Sequence, residues 1–546
     1  MLVKVFRNLA IPFVLVILLF SFSTRNYAQV IYTPVTSEVY NFLDRMASKN
    51  VIVNYYDIAR PLSREEIAKY LKEIEKKSYL LSNIEKQELS WYETDYSYEL
   101  TGKFDRWKLF QYADTLFRVS LSPIIDLQLN SIRGKKNYKE GWLGRFDGSI
   151  GKHVGFSFSI TDNTEWGDTL DSPEMLTPAT GFNYKKEGKN SISYEDINAT
   201  LNYSWSWGTF TLGKDYVNWG SGREGQLILS SKAPSFPFIK FDIYPVSWLR
   251  FQYIHGWLAS NIIDSSSIYT STDVPNGKVY YRANQRSKYI AANMLSIIPW
   301  KNFMFSIGNS IVYSDGDVRI PFLIPFIWYY KGIDHDLYGS TINDEYGDNG
   351  QLFFDLSVRS LEHFHFYGTF FVDEISFTKF LKGEYSHNQT GYTIGITNYG
   401  SIIDNLMLEL EYTKVMPGTY LNHIQTQTYA NDSYVLGDWI GQNADYLYAG
   451  INYELIRGMN AGLYFKILRK GGDQLGTDFE FKGMSFLYKP LSDYDIKGIS
   501  FSYEPLYDLN IKADLNFTKY SYDGRVLPVK NKNSTNFSLN VSYGIY

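Results

Sequence analysis

The stretch Ile197–Trp207, INATLNYSWSW, constrains the fold more than any other part of the chain. Ile197, Ala199, Leu201, Tyr203, Trp205 and Trp207 alternate with Asn198, Thr200, Asn202, Ser204 and Ser206. A strand here has one apolar face and one face of hydroxyls and amides. The pattern returns at Phe303, Phe305, Ile307, Ile311 and Tyr313, at Leu406, Leu408, Leu410 and Tyr412, and at Phe537, Leu539, Val541, Tyr543 and Ile545. Soluble sandwiches alternate too, but seldom at this length with an aromatic closing so many strands. Strands of about 9–11 residues with one apolar face suit a tilted bilayer crossing. Lipid offers no partner to an open sheet edge, so such strands must close into a barrel. A mean hydropathy of -0.26 excludes a helical membrane bundle but not alternating strands, which average to near neutral. Aromatics at 17% fit the same all-β reading.

The connections supply a topology. Short turns at Gly151–His153, Pro299–Asn302, Ile456–Met459 and Glu504–Asp508 alternate with long polar stretches at 163–190, 260–288, 315–350, 415–444 and 470–495. Short and long connections mark the periplasmic and external ends of an outer-membrane barrel, and the segmentation closes at about 18 antiparallel strands. Residues 479–488 resemble a strand but break the parity, so they are assigned to an external loop. Tyr546 alternates out of phase with Ile545, Tyr543 and Val541, unlike the usual barrel ending.

Three regions follow. In residues 1–28, Lys4 and Arg7 precede an apolar run from Leu9 to Phe22 and a small residue, Ala28, which reads as a signal peptide. Residues 29–100 read as a small periplasmic helical bundle. Val39, Phe42, Leu43 and Met46 form one helical stripe, Ser63 to Glu66 a capping box before Ile67, Leu71 and Ile74, and Ser82 to Glu85 another helix start. Residues 101–546 form the barrel. The chain has no Cys, which excludes disulfides, thiolate chemistry and N-terminal lipid attachment through sulfur. A net charge of -5 without a basic patch argues against nucleic acid.

No catalytic motif, cofactor motif or metal set emerges. His363 and His365 flank Phe364, and lumen lining explains them better than metal ligation. Asp334 and Asp336 flank His335 in the loop 315–350, where they would bind a cation or a sugar hydroxyl, or simply be solvated. That loop also carries Pro321–Tyr330, PFLIPFIWYY. A surface loop so apolar should bury itself, and the barrel mouth is the nearest shelter. Folded inward, it would be either an inert cork or a sugar-binding surface of Trp328, Tyr329 and Tyr330 beside the carboxylates. The remaining outlier is 218–242, NWGSGREGQLILSSKAPSFPFIKFD, expected at an external strand end. Its glycines permit positive φ and close backbone approach. Trp219 and Arg223 would offer a stacking face and a fork donor.

As a whole string, Trp219-Gly220-Ser221-Gly222 through Gly225, Ser230 and Pro234 resembles the Trp-Gly-x-Gly…Ser-Leu-Ile-Leu-Ser…Ala-x-Pro run of the capsule-assembly outer-membrane protein family, Wzi. Pro more often stands at the place of Ser221 in that family, and Gln226 replaces a small polar residue. Ala59–Ser63 and Glu411–Tyr420 are similar to further family segments, and Leu436–Asp445 matches a signature containing Gly437, Gly441, Asn443 and Asp445. The resemblance implies an 18-stranded outer-membrane barrel with a lumen occluded by inward-folded loops. It implies a lectin-like role, holding capsular polysaccharide to the cell surface, and no catalysis. The expected partners are surface polysaccharide and outer-membrane lipids, with the barrel a monomer. A porin-like barrel for small polar solutes and an outer-membrane hydrolase are the alternatives.

Overall fold

The computed structural model describes residues 30–170, 176–273, 276–329, 348–374, 388–472, 485–488, 490–523 and 530–544. The stretch 1–28 expected to be a signal peptide, most of 479–488, Ile545 and Tyr546 therefore lie outside the described residues.

Eighteen long antiparallel strands close a barrel. The first six are β1 (Phe117–Ile132), β2 (Lys135–Ile150), β3 (Val154–Gly167), β4 (Ser191–Trp205), β5 (Gly208–Asp215) and β6 (Phe236–Val246). Then follow β7 (Leu249–Leu258), β8 (Lys288–Trp300), β9 (Phe303–Ser314), β10 (Asn349–Val358), β11 (Phe364–Glu374) and β12 (Gln389–Tyr399). The last are β13 (Leu406–Val415), β14 (Ala444–Ile456), β15 (Met459–Lys470), β16 (Leu491–Leu506), β17 (Leu509–Asp523) and β18 (Lys530–Tyr543). Each long strand pairs with its sequence neighbours, and β18 closes on β1 through Tyr543 opposite Ile125 and Leu539 opposite Leu129. Closure leaves no edge, as lipid requires.

The alternation read from the sequence sets the two faces. Leu201, Leu410, Ile451, Leu463 and Phe517 are exposed on the outside, whereas Asn202, Thr211, Gln252, Gln351 and Glu411 are buried toward the lumen. The short turns use left-handed residues such as Asn302 and Asp508, which fit two-residue hairpins whose twist matches the strands.

The N-terminal region forms α1 (Val39–Ser48), α2 (Arg64–Lys76), α3 (Asn83–Asp95) and α4 (Ser97–Thr101). The expected stripes are buried, with Leu43, Met46, Ile67, Leu71 and Ile74 at 0% exposure. Ser82 and Glu85 form a reciprocal capping box. Ser63 caps α2 by accepting from the Glu66 backbone N–H, while the Glu66 side chain reaches 2.8 Å to Arg250 of the wall. The helices sit in the short-turn mouth, where the His363 N–H donates to the Ser48 carbonyl and Asn54 bonds Asn302. One hydrophobic cluster runs from α1 and α2 through Trp219, Leu227 and Ile228 to Ile254, Ile290 and Phe353 of the wall. Among the described residues no helix is long and apolar enough to cross a membrane.

Candidate functional site

The glycine-rich segment corrects its sequence reading. It is not an exposed corner at the external end. The chain leaves the wall after β5, crosses the lumen over residues 216–235 and rejoins the wall at β6. Trp219 pairs with Ala59 ahead of α2 and with Leu229 of its own segment. Its ring is fully buried, 6.2 Å from that of Phe353. Gly220 has a φ of +120° and donates its N–H to Ile58. Gly222 is needed for space rather than for positive φ, because a β-carbon there would collide with the Gly225 carbonyl oxygen. Ser221 donates backbone and hydroxyl hydrogens to Asp355. Arg223 ion-pairs with Asp44 of α1 at 3.1 Å and Glu409 of β13 at 3.3 Å. Trp219 is thus a buried packing residue and Arg223 an ion-paired one, and both join the bundle to the wall.

The second signature folds onto the first. Ser230 donates its N–H to the Leu436 carbonyl at 2.7 Å and its hydroxyl to the Gly437 carbonyl at 2.5 Å. Tyr420 and Tyr429 donate hydroxyls to the Leu227 and Ile228 carbonyls, and Asn431 donates to that of Pro234. Gly225 packs under the Asp438 carboxylate, and Gly441 takes a φ of +62° in the turn leading to Asn443. Asn443 accepts from the Leu487 N–H at 2.8 Å. Residues 216–235 and 416–443 are one interlocked plug. Asp445 is apart from it, at the top of β14, where it accepts from Arg469 and Tyr412.

The loop 315–350 also departs from expectation, because its described part turns outward. Arg250 and Gln252 of β7 meet α2 and Tyr56, so Tyr253 faces the outside of the wall. Ser296 of β8 also meets Tyr56, which turns Asn293 and its cross-strand partner Asn309 outward. The segment lies on those residues. Tyr253 donates its hydroxyl to the Phe322 carbonyl, Asn293 donates to the carbonyls of Pro325 and Ile327, and the Tyr329 N–H donates to Asn309. Tyr329 is buried beneath the segment and Trp328 is 47% exposed on its outside. Neither occludes the lumen. The shelter is the outer wall because its polar amides stand there. Tyr330, Asp334 and Asp336 lie outside the described residues. Of the two His, His365 faces the lumen against Ser357 and Arg359, while His363 sits in the turn before β11.

Beside the plug the lumen keeps a cavity of about 410 Å³ along β1–β5. Ser157, Ser159, Thr161, Asn163 and Glu165 climb β3 along it, facing Asp126 and Gln128 of β1 and Tyr194, Asp196 and Asn198 of β4. Tyr194 stacks on Phe182 at 4.3 Å and donates its hydroxyl to Glu165. Lys232 of the plug donates to the carbonyls of Thr177 and Ala179, which pins the loop carrying Phe182 over the cavity. The buried Asn198 Oδ1 has no partner. Its lining carries five carboxylates (Asp126, Glu165, Glu195, Asp196, Asp215) and three cations (Lys139, Arg145, Lys214). Sequence reasoning missed this site because its residues come from five strands. The polar face of Asn198, Thr200 and Asn202 was its only signal. Among the described residues no group of three His, Asp or Glu could hold a metal ion.

A closed antiparallel barrel with an apolar outside, filled by its own chain, is an outer-membrane barrel of a Gram-negative cell. The family model "Capsule assembly protein Wzi" matches residues 159–524, and the chain belongs to that family. Among solved structures, it is similar to Wzi of Escherichia coli, an outer-membrane protein involved in group 1 capsule assembly and described as a carbohydrate-binding β-barrel. The two share 11% identity with a TM-score of 0.59, over 95% of this chain and 100% of that one. OprD and OccD3 (OpdP) of Pseudomonas aeruginosa share 12% identity each over 78% of this chain and 94% and 92% of theirs. Their TM-scores of 0.39 and 0.43 are too low to support an argument. No curated protein sequence matches the chain.

Proposed function

We propose that the protein is a monomeric, non-enzymatic, lectin-like barrel that holds polysaccharide at the outer-membrane surface, and that the cavity along β1–β5 takes a saccharide segment. The observation that carries this reading is the lining itself. It combines a ladder of hydroxyls and amides, carboxylate acceptors, a stacked aromatic pair and a buried amide oxygen without a partner. Sugar hydroxyls match such groups, and sugar faces match aromatic rings. Five carboxylates against three cations favour a neutral saccharide over a polyanion. Family membership and the carbohydrate binding described for the Escherichia coli barrel support the same role.

The porin reading is disfavoured by the plug, which packs into the same hydrophobic cluster as the bundle and the wall. The hydrolase reading is disfavoured because carboxylates of the cavity are engaged by its own wall, Glu165 accepting from Tyr194 and Asn137, Asp196 from Tyr216 and Asn198, and Asp126 from Gln128 and Asn540. The test is binding of purified neutral and acidic oligosaccharides, by calorimetry, to wild type and to Tyr194→Ala and Asn163→Ala. Each variant should weaken binding of the preferred sugar roughly tenfold, as loss of one ring face or hydrogen bond does. Unchanged affinity in both would remove the cavity as the site. Hydrolysed product in the cell would revive the enzyme reading.

A further inference from the structure

The outward segment after β9 has chemistry that water does not explain. Residues 320–329, IPFLIPFIWY, contain no charged side chain. Ile320, Ile324, Phe326 and Trp328 are exposed on its far side. Beneath it, Asn309 donates to Asn293 at 2.7 Å, while Asn293 donates to two carbonyls of the segment and the Asn309 oxygen accepts from the Tyr329 N–H.

Depth decides what surrounds this patch. Asn309 is seven residues above the turn at Asn302, or roughly 17 Å at about 3.3 Å per residue and a 35–45° tilt. That height falls within an apolar band about 25 Å tall. Two amides facing hydrocarbon there would be strongly unfavourable without partners. The segment supplies the partners and is itself adapted to the same medium. Pro321 and Pro325 have no N–H to leave unsatisfied, and the carbonyls of Phe322, Pro325 and Ile327 all accept hydrogen bonds from the wall side chains Tyr253 and Asn293. Phe326 stacks on Phe251 of the wall at 4.7 Å. The exposed face continues the apolar surface of Trp257 and Leu295 on the neighbouring strands.

We propose that residues 320–329 are a membrane-embedded layer of the wall, whose far side contacts lipid acyl chains of the outer leaflet. The segment replaces lipid over a polar patch of the barrel and presents an apolar face in its place. This inference does not depend on what the lumen binds.

The chain has no Cys, so single labels are direct. Trp328→Cys and Phe326→Cys would each carry a bimane, in nanodiscs of phospholipid brominated along its acyl chains. Leu295→Cys is the lipid-facing control, and Tyr281→Cys, in the external hairpin Tyr269–Arg282, is the aqueous one. Heat-shifted migration on gels checks assembly, and the second label site covers failure of the first. Both labels should lose emission to brominated lipid as the Leu295 control does and resist iodide. Quenching by iodide and not by brominated lipid overturns the proposal. Protection from both quenchers overturns it as well, in favour of a protein occupant, and disulfide-linked dimers of Trp328→Cys would identify that occupant as a second copy.

Discussion

Two connections leave the external end of the wall, and they go opposite ways. Residues 216–235 cross the lumen, while 320–329 lie on the outside. Both are apolar enough to need shelter, so hydrophobicity alone does not select the side. The polar partners do. The inward segment carries Ser221, Arg223 and Glu224, which meet Asp355, Asp44, Glu409 and Lys466. Paired charges survive in a lumen whose remaining space is polar. Within 320–329 the outward segment uses only neutral amides, hydroxyls and carbonyls, the sole polar chemistry that hydrocarbon tolerates once it is paired. The charges of its flank, Asp315 and Arg319, pair with Arg286 and Asp348.

The sharpest way to break this contrast is conductance in planar bilayers. Gly222→Val should displace the plug, since a side chain there collides with backbone, and open channels should appear or assembly should fail outright. Deleting 320–329 should leave the lumen closed. Channels opening in the deletion while Gly222→Val stays closed would reverse the assignment of inside and outside. Next in size is Trp219→Ala, which empties the junction of bundle, plug and wall and should cost roughly 3–5 kcal/mol. Urea unfolding in detergent measures it. A loss comparable to that of an exposed residue would mean that Trp219 is not buried and reopen its role as a sugar platform.

The wall was legible in the sequence because period-2 alternation is a local signal. Ile197–Trp205 and Phe537–Tyr543 sit on the faces their pattern assigns. The bundle was legible for the same reason, through 3.6-residue stripes and two caps. The loops were not. Nothing near Trp219 in the sequence indicates that Ala59 will pair with it, and nothing near Trp328 indicates that Asn293 and Asn309 face outward. The latter pair interrupts the apolar face of two strands that otherwise read cleanly, and that interruption is the one local sign of a covering segment. The motif strings around Gly222 and Gly437 pointed to one another only through family resemblance. Physically they meet because Ser230 and Tyr420 bond across the lumen.

A smaller effect tests the outward half. Asn309→Leu removes the acceptor of the Tyr329 N–H and the donor to Asn293. Leaving those groups unpaired should cost about 1–3 kcal/mol. Replacing Asn293 as well should recover part of that loss, because fewer amide atoms then lack partners. The double-mutant cycle reads the coupling. Additive losses would mean that the two amides do not act as a pair under the segment.

The smallest effect separates the halves by pH, because ion pairs anchor the inner one, whereas the groups bonded beneath 320–329 are neutral. In α3, burial raises the Asp95 carboxyl, but Arg106 and Arg64 outweigh burial and hold it at about 2. A carboxyl depressed in the folded state contributes stability above its unfolded value, near 3.8, and loses it as pH falls toward the folded one. Between pH 5 and pH 3 that loss should reach about 1 kcal/mol. Glu99 of α4, lowered despite burial by Arg64 and Arg118, loosens in the same direction. Urea unfolding at the two pH values should therefore fall further for wild type than for Asp95→Asn, whose side chain does not titrate there. The bimane at Trp328→Cys should report no change over that range, because the groups under its segment are amides and phenols. Equal acid losses in wild type and Asp95→Asn would remove Asp95 as an anchor of the bundle. An acid-sensitive signal at Trp328 would place a titrating group beneath the outer layer and contradict its neutral, lipid-adapted chemistry.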